Sequence, residues 1–285
     1  MYVRFLLILS CILPMLAVGQ NTSSITAEQL IETIIEQTGA KKISNTVDVI
    51  KAGNADTKVT GIVTCMFATM DVLKKAAEKK CNLIITHEPL FYNHIDSSEK
   101  FEDDVVYLAK KKFIDDNNLV VWRFHDYIHR IQPDGIMSGM VNKLGWQTNQ
   151  SSKNPYKFSF QETTLSAFLK SIKKVFPENA FQVVGDSTMN LTNVVLVPGA
   201  SGSMAQIGQL RKSDVDVVIA GEVPQWETYE YVRDANLQGR KKAILFIGHI
   251  NSEESGMNFC ADWLSEFIND IPIHFIACGS SYWSY

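Results

Sequence analysis

Val59-Thr60-Gly61-Ile62-Val63-Thr64-Cys65, then Asp71 to Lys80, then Leu83-Ile84-Ile85 is the stretch that decides the fold. The first and last runs are apolar and rich in β-branched residues, which reads as two strands. The segment between them reads as a helix, so the three form a β-α-β unit. Upstream, Ile25 to Leu30 opens a helix with Thr26 as its N-cap and apolar positions at Leu30, Ile31, Ile34 and Ile35. Downstream, a helix is expected from Ser98 to Lys112, a strand from Leu119 to Phe124 and a helix from Gly135 to Leu144. Alternation of this kind implies a largely parallel sheet covered by helices on both faces.

Between 151 and 190 the character shifts. A polar Ser151-Ser152-Lys153-Asn154-Pro155 linker leads to a short strand near Tyr156 to Phe160, a helix from Thr164 to Val175 and a strand from Phe181 to Val184. This reads as a small α+β subdomain in the middle of the chain. The α/β theme then returns with strands at Asn193 to Val197, Val215 to Ala220 and Ala243 to Ile247, and a last strand, Ile273 to Ala277, closes the sheet. The fold class is α/β, a largely parallel or mixed sheet covered by helices.

The N-terminus reads as a signal peptide over residues 1–19. Met1 to Arg4 gives a short basic start, Phe5 to Leu16 an apolar core too short to span a bilayer, and Ala17-Val18-Gly19 small residues at the cleavage position. The expected location is therefore periplasmic or secreted, with no membrane span in the mature chain. A formal charge of −4 leaves no basic footprint, so phosphate-neutralising nucleic-acid binding is not expected. Cys65, Cys81, Cys260 and Cys278 follow the signal; each lies in or beside an apolar segment, which reads as a buried small hydrophobe, and no Cys-x-x-Cys pair suggests a zinc knuckle.

In open parallel sheets the functional crevice lies beyond the carboxyl ends of the strands. Four expected strands end in polar groups: His87-Glu88, then His125-Asp126 with His129, then Glu222, then His249 with Glu253. Taken singly, each has a structural reading. His87 and Glu88 suit a loop, His125 and His129 suit solvent, Glu222 suits a helix cap, and Glu253 suits a helix dipole behind an N-cap at Ser252. Their recurrence at equivalent ends argues for one shared site. Imidazole and carboxylate without thiolate suit zinc, iron, manganese, cobalt or nickel, and there are donors for one or two ions. Pro198-Gly199-Ala200-Ser201-Gly202-Ser203 is a small-residue loop before a helix; it reads either as a tight turn or as an anion cradle, and lacks the Lys-Ser/Thr of a P-loop.

These motifs resemble the NIF-three-like proteins, also described as dinuclear-metal-centre hexameric proteins and as GTP cyclohydrolase type-2 homologues. The resemblance runs over residues 25–285, with 151–190 as an intervening subdomain. It rests on His87-Glu88-Pro89-Leu90-Phe91, on His125-Asp126-Tyr127-Ile128-His129 before Gly135, on Ala220-Gly221-Glu222, on Gly248-His249 to Glu253, and on the turn at Gly199 to Ser203. It implies a two-lobed α/β subunit, a homohexameric ring, and metal ligands at His87, Glu88, His129, His249 and Glu253. Two of these depart from the family pattern: Glu88 stands for a second histidine, and His129 for an aspartate that bridges the ions. The function expected is metal-dependent hydrolysis of a small polar substrate, phosphorylated or cyclic, with Glu222, His125 or Asp126 orienting water or substrate. The alternative is a metal-binding or assembly protein without turnover.

Overall fold

The computed structural model describes residues 25–178 and 180–283, so the expected signal segment lies outside the described residues. Its strands are β1 (Ile50–Ala52), β2 (Ile62–Cys65), β3 (Leu83–Thr86), β4 (Val120–Arg123), β5 (Lys157–Thr164), β6 (Gln182–Val184), β7 (Asn190–Val197), β8 (Val217–Ala220), β9 (Ala243–Phe246) and β10 (Ile273–Phe275). Its helices are α1 (Ala27–Gln37), α2 (Met70–Glu78), α3 (Val105–Asp116), α4 (Gly135–Leu144), α5 (Leu165–Val175), α6 (Ser203–Leu210), α7 (Thr228–Leu237) and α8 (His249–Leu264). None of the described helices is long and apolar enough to cross a membrane.

The strands form two mixed sheets, one to each lobe of the expected α/β subunit. The first has the order β1-β4-β3-β2-β10 and the second β5-β7-β8-β9-β6. In the first, β10, β2, β3 and β4 are parallel and β1 is an antiparallel edge; in the second, β7, β8 and β9 are parallel between antiparallel edges β5 and β6. Every residue of β2, β3, β4, β8 and β9 is buried. That is why these strands read as continuous apolar runs: helices cover both faces of each parallel sheet.

Segment 151–190, set apart in the sequence by composition, is part of the second sheet. β5 pairs with β7, β6 pairs with β9, and Phe158, Leu165, Phe168 and Ile172 share one buried cluster with Val194, Val217 and Leu245. The polar linker and half-exposed strands mark sheet edges, which carry polar residues wherever one side meets water. The last strand also lands elsewhere than expected. After β9 the chain crosses back, α8 packs on the first sheet, and β10 joins β2.

α4 and α8 join the lobes. Ile136 of α4 faces the first-sheet core with Met257, Cys260 and Leu264 of α8, while Met137, Met140, Val141 and Leu144 face the second. The helices cross at backbone contact: a Cβ on Gly139 would lie 2.2 Å from Ser255 O, and one on Gly256 2.5 Å from Ile136 Cα. Asp134, just before α4, and His249 and Glu253 of α8 line one cavity, where the functional side chains gather.

Two helix starts differ from expectation for local reasons. α3 begins at Val105 because Asp104 caps it, accepting from Val106 N and Tyr107 N. α8 begins at His249, three residues before the expected cap. Ser252 lies inside the helix, where its Oγ donates to His249 O and accepts from Gly199 N. The four cysteines are free thiols; Cys65, Cys81 and Cys260 are buried and Cys278 partly so, with burial pushing the Cys65 thiol up to about 12.

Candidate metal centre

The carboxyl ends of β3, β4, β8 and β9 converge. His87 and Glu88 follow β3; His125 follows β4 by one residue and His129 lies in the next short turn; Glu222 follows β8; His249 and Glu253 are the first and fifth residues of α8. Two donor groups form, His87–His125–His129 and His87–Glu88–Glu253, each with ligand atoms within 4.8 Å of one another.

His87 is central to both. Its ring is fully buried, and Nδ1 lies 3.2 Å from the carbonyl oxygen of Phe124. A carbonyl can only accept, so Nδ1 carries a proton, and Nε2 offers a lone pair whenever the ring holds that proton alone. Nε2 has no hydrogen-bond partner and lies 3.6 Å from Glu253 Oε2. An unpaired buried nitrogen costs about 1–3 kcal/mol unless something fills the gap. A cation between imidazole and carboxylate fits that vacancy in the bonding, and the donor set is the kind first-row divalent ions take.

The other two imidazoles are oriented the same way. His125 stacks on His87 with ring centroids 4.6 Å apart, and its Nδ1 meets Asp126 Oδ1 at 3.0 Å. His129 sits edge-on to both rings, and its Nδ1 meets Asp134 Oδ2 at 3.0 Å. Each carboxylate claims Nδ1 and turns Nε2 toward the cluster, the usual way a protein fixes an imidazole ligand. Burial, with His87 alongside, lowers His125 to about 4, so it is neutral at physiological pH. His129 is partly buried too, but the hydrogen bond and charge of Asp134 outweigh that burial and raise it.

His125 thus stands among the donors rather than behind them. Asp126 does not: beyond His125 it accepts from Thr46 Oγ1 at 2.8 Å and Val47 N at 3.2 Å, facing away from the cluster. Glu222 also stands outside the two groups. Its half-exposed carboxylate accepts from His249 Nδ1 at 2.9 Å, and that hydrogen bond holds its pKa below the usual carboxylate range.

His249 is held by carboxylates on both nitrogens: Glu222 at Nδ1, and Glu253 at 3.0 Å and Glu88 at 3.2 Å at Nε2. Burial opposes its charge, but the three carboxylates overwhelm that effect and push it up to about 12. Its proton carries the positive charge that Glu88 and Glu253 demand. Glu253 is held far below its ordinary value, because the imidazoles of His249 and His87 outweigh burial; Glu88 is lowered for the same reason.

Several supporting residues escaped the sequence reading. Arg123, fully buried at the end of β4, donates from Nε to His87 O at 3.2 Å and from Nη2 to Glu88 Oε2 at 3.3 Å, leaving Glu88 Oε1 for the cluster. Asp96 lies 3.8 Å from Arg123 Nη1 and 3.3 Å from Lys51 Nζ, extending this buried network. Asp48 accepts from the amides of His125, Asp126 and Tyr127 at 2.8–2.9 Å, fixing the loop after β4. Asp134 both caps α4 and holds His129. An arginine inside an apolar strand and an aspartate before a helix glycine were visible signals; Asp48 carried none.

The small-residue loop is a turn that makes room. Gly199 has φ +65°, and a Cβ there would lie 2.4 Å from Glu253 Oε1. Its amide is taken by Ser252, so it is not offered to an anion. The site opens on two cavities. One of about 410 Å³ is lined by Glu88, His125, His129, Glu253 and Ser201, and one of about 720 Å³ runs from Glu88, Glu222 and His249 to Tyr92 and Lys110.

The family model for Duf34/NIF3 (NGG1p interacting factor 3) matches residues 24–280. The chain belongs to the Duf34/NIF3 family. The chain is 26% identical over 215 residues to a GTP cyclohydrolase 1 type 2 homolog of Clostridium acetobutylicum, covering 72% of this chain and 76% of that protein. A Clostridium perfringens protein of the same description is 23% identical over 214 residues, covering 72% and 77%. Solved structures share the fold. The Staphylococcus aureus protein SA1388 superposes with TM-score 0.71 at 15% identity, covering 92% of this chain and 99% of its own. A Bacillus cereus protein related to NIF3 gives 0.71 at 14% identity over 93% and 100%. Reduced HcgD from Methanocaldococcus jannaschii gives 0.61 at 17% identity over 88% and 97%.

Proposed function

We propose that this Duf34/NIF3 protein is a metal-dependent hydrolase of a small polar substrate. The observation that carries the reading is the bare, buried Nε2 of His87 facing Glu253, with the imidazoles of His125 and His129 alongside. His87, His125, His129, Glu88 and Glu253 would hold the first ion, and His249 would release its proton to join them or a second ion. Such an ion, when bound, supplies Lewis acidity and a water acidic enough to ionise near neutral pH.

The chain's own groups then do the rest. Phe124 O, Asp126 and Asp134 fix the tautomers of the three imidazoles, and Arg123 fixes Glu88. Glu222, half-exposed on the wall of the larger cavity, accepts a hydrogen bond from water or substrate and so orients it. The cavities admit a small molecule and not a folded chain. One observation favours the alternative, metal binding without turnover: His87, Glu88 and Glu253 are all buried, as in a closed structural site.

The deciding experiment screens the metal-loaded protein against phosphoesters, nucleotides and cyclic amides, with chelator-treated protein beside it. Turnover that chelation abolishes and Glu222→Gln lowers supports the hydrolase. Stoichiometric, tightly held metal with no turnover on any class would replace it with the binding reading.

A further inference from the structure

Away from the donor cluster, the larger cavity ends on a group the proposed chemistry does not use. Lys110, on α3, is 5% exposed. Its Nζ donates to Leu90 O at 2.8 Å and lies 5.4 Å from the centre of the Tyr92 ring and 5.9 Å from that of Phe91. An ammonium has three donors, and a neutral carbonyl and two ring faces do not neutralise it. The nearby carboxylate, Asp96, is spent on Lys51 and Arg123, and no described carboxylate lies within ion-pair distance of Lys110. Burial lowers Lys110 to about 8, which is the mark of a charge held out of water without a matching anion.

Lys110 is also the one lysine or arginine among the described lining residues of this cavity, which Glu88, Glu222 and His249 line as well. Also lining it are Thr69 and Met70, the N-cap and first residue of α2, a nine-residue helix in which Val72 N is taken by Thr69 Oγ1 while the amides of Met70 and Asp71 have no acceptor within the helix. Phe67, edge-on to His249, and Tyr92 supply apolar walls. Cation, helix start, metal donors and aromatic surface thus line one cavity.

We infer that this cavity is the substrate pocket and selects an elongated organic anion, whose carboxylate or phosphate is held by Lys110 and the start of α2 while its far end reaches Glu88 and His249. The assignment of the reacting end rests on the hydrolase reading; the anion subsite does not.

The subsite is tested by calorimetric titration of the full chain, as purified and after chelator treatment, with phenyl phosphate, benzoate and neutral benzyl alcohol. Binding of at least one anion that survives chelation and weakens about ten-fold or more in Lys110→Met, with benzyl alcohol unchanged, is expected. Phenyl phosphate alone would specify a phosphate and benzoate alone a carboxylate. Equal binding to wild type and Lys110→Met, no binding of either anion, or binding that vanishes with the metal would overturn the subsite. Should Lys110→Met fail to fold, amide shifts in wild type decide: movement at Thr69, Met70 and Asn93 supports it, and movement only elsewhere contradicts it. A protein that holds no metal yet binds the anion would refute the hydrolase and leave the subsite standing.

Discussion

At the carboxyl end of the first sheet, β3 and β4 run into His87, Glu88 and His125, whereas at the same end of the second sheet β7 and β8 run into Gly199 and Gly221. The first wall is dense with buried charge: Arg123 ties Glu88 to Asp96, and Asp48 ties down the loop that bears His125. The second wall carries Glu222 and His249 after β8 and β9, but where it faces Glu253 it is backbone. A Cβ on Gly199 would strike the Glu253 carboxylate, and one on Gly221 would come within 2.3 Å of Gly199 O. One sheet supplies rigidly held donors and the other supplies the space into which α8 delivers Glu253. Both are needed, and they should fail differently.

The largest contrast is in stability. Arg123→Met leaves the buried carboxylates of Glu88 and Asp96 without their shared cation, and should destabilise the protein by about 3–5 kcal/mol. The matching change in the second sheet, Lys157→Met, removes an ion pair to the exposed Asp214 and should cost under about 1 kcal/mol. Urea denaturation curves measure both; equal losses would break the distinction between the two walls.

The second contrast separates space from backbone strain. Gly199 and Gly202 both have positive φ, +65° and +81°, but a Cβ on Gly202 meets nothing within 4 Å. Alanine at either should cost about 1–3 kcal/mol of stability for the positive-φ backbone. Only Gly199→Ala displaces Glu253, so only it should also weaken zinc or manganese binding, by about ten-fold or more as for lost support of a ligand. Metal titration of both variants checks this, and equal affinities would remove the spatial role of the second wall.

The smallest effect concerns the far end of the larger cavity. Lys110 has its pKa lowered to about 8 by burial, with Cys65 and Asp96 pulling weakly the other way, against an ordinary 10.5. Between those pH values the unfolded chain binds the proton that the folded chain has released, so folding stability rises with pH across that window. Below about pH 8 both states are charged and the burial cost is fully present. Lys110→Met should flatten this rise relative to wild type in denaturation series from pH 7 to 11; an unchanged slope would show the ammonium to be better solvated than its burial implies.

Much of this was legible in the chain before folding. Strands buried on both faces announce themselves as apolar runs, so β2, β3, β4, β8 and β9 and the polar groups beyond them could be placed from the sequence alone. The edges could not. β5 and β6 are half-wet edges behind a polar linker, so they resembled a separate subdomain, and nothing local says that β10 returns to the first sheet. Within the site, imidazoles and carboxylates at strand ends stood out, but their division of labour depends on contacts across the fold. His125 reached the donor cluster because its ring stacks on His87, and Asp126 left it for Thr46, a partner eighty residues away in sequence. Asp48 lies in a segment without pattern, and only the folded loop reveals the three amides it holds.

The central claim is that the strand ends of the two lobes together hold a divalent ion. The most direct measurement is metal content per subunit by elemental analysis of protein purified without chelator, for wild type, His87→Ala and Glu253→Gln. One or two equivalents in wild type, lost in His87→Ala and reduced in Glu253→Gln, is the result predicted. A wild type without metal, or variants that retain it in full, would contradict the account.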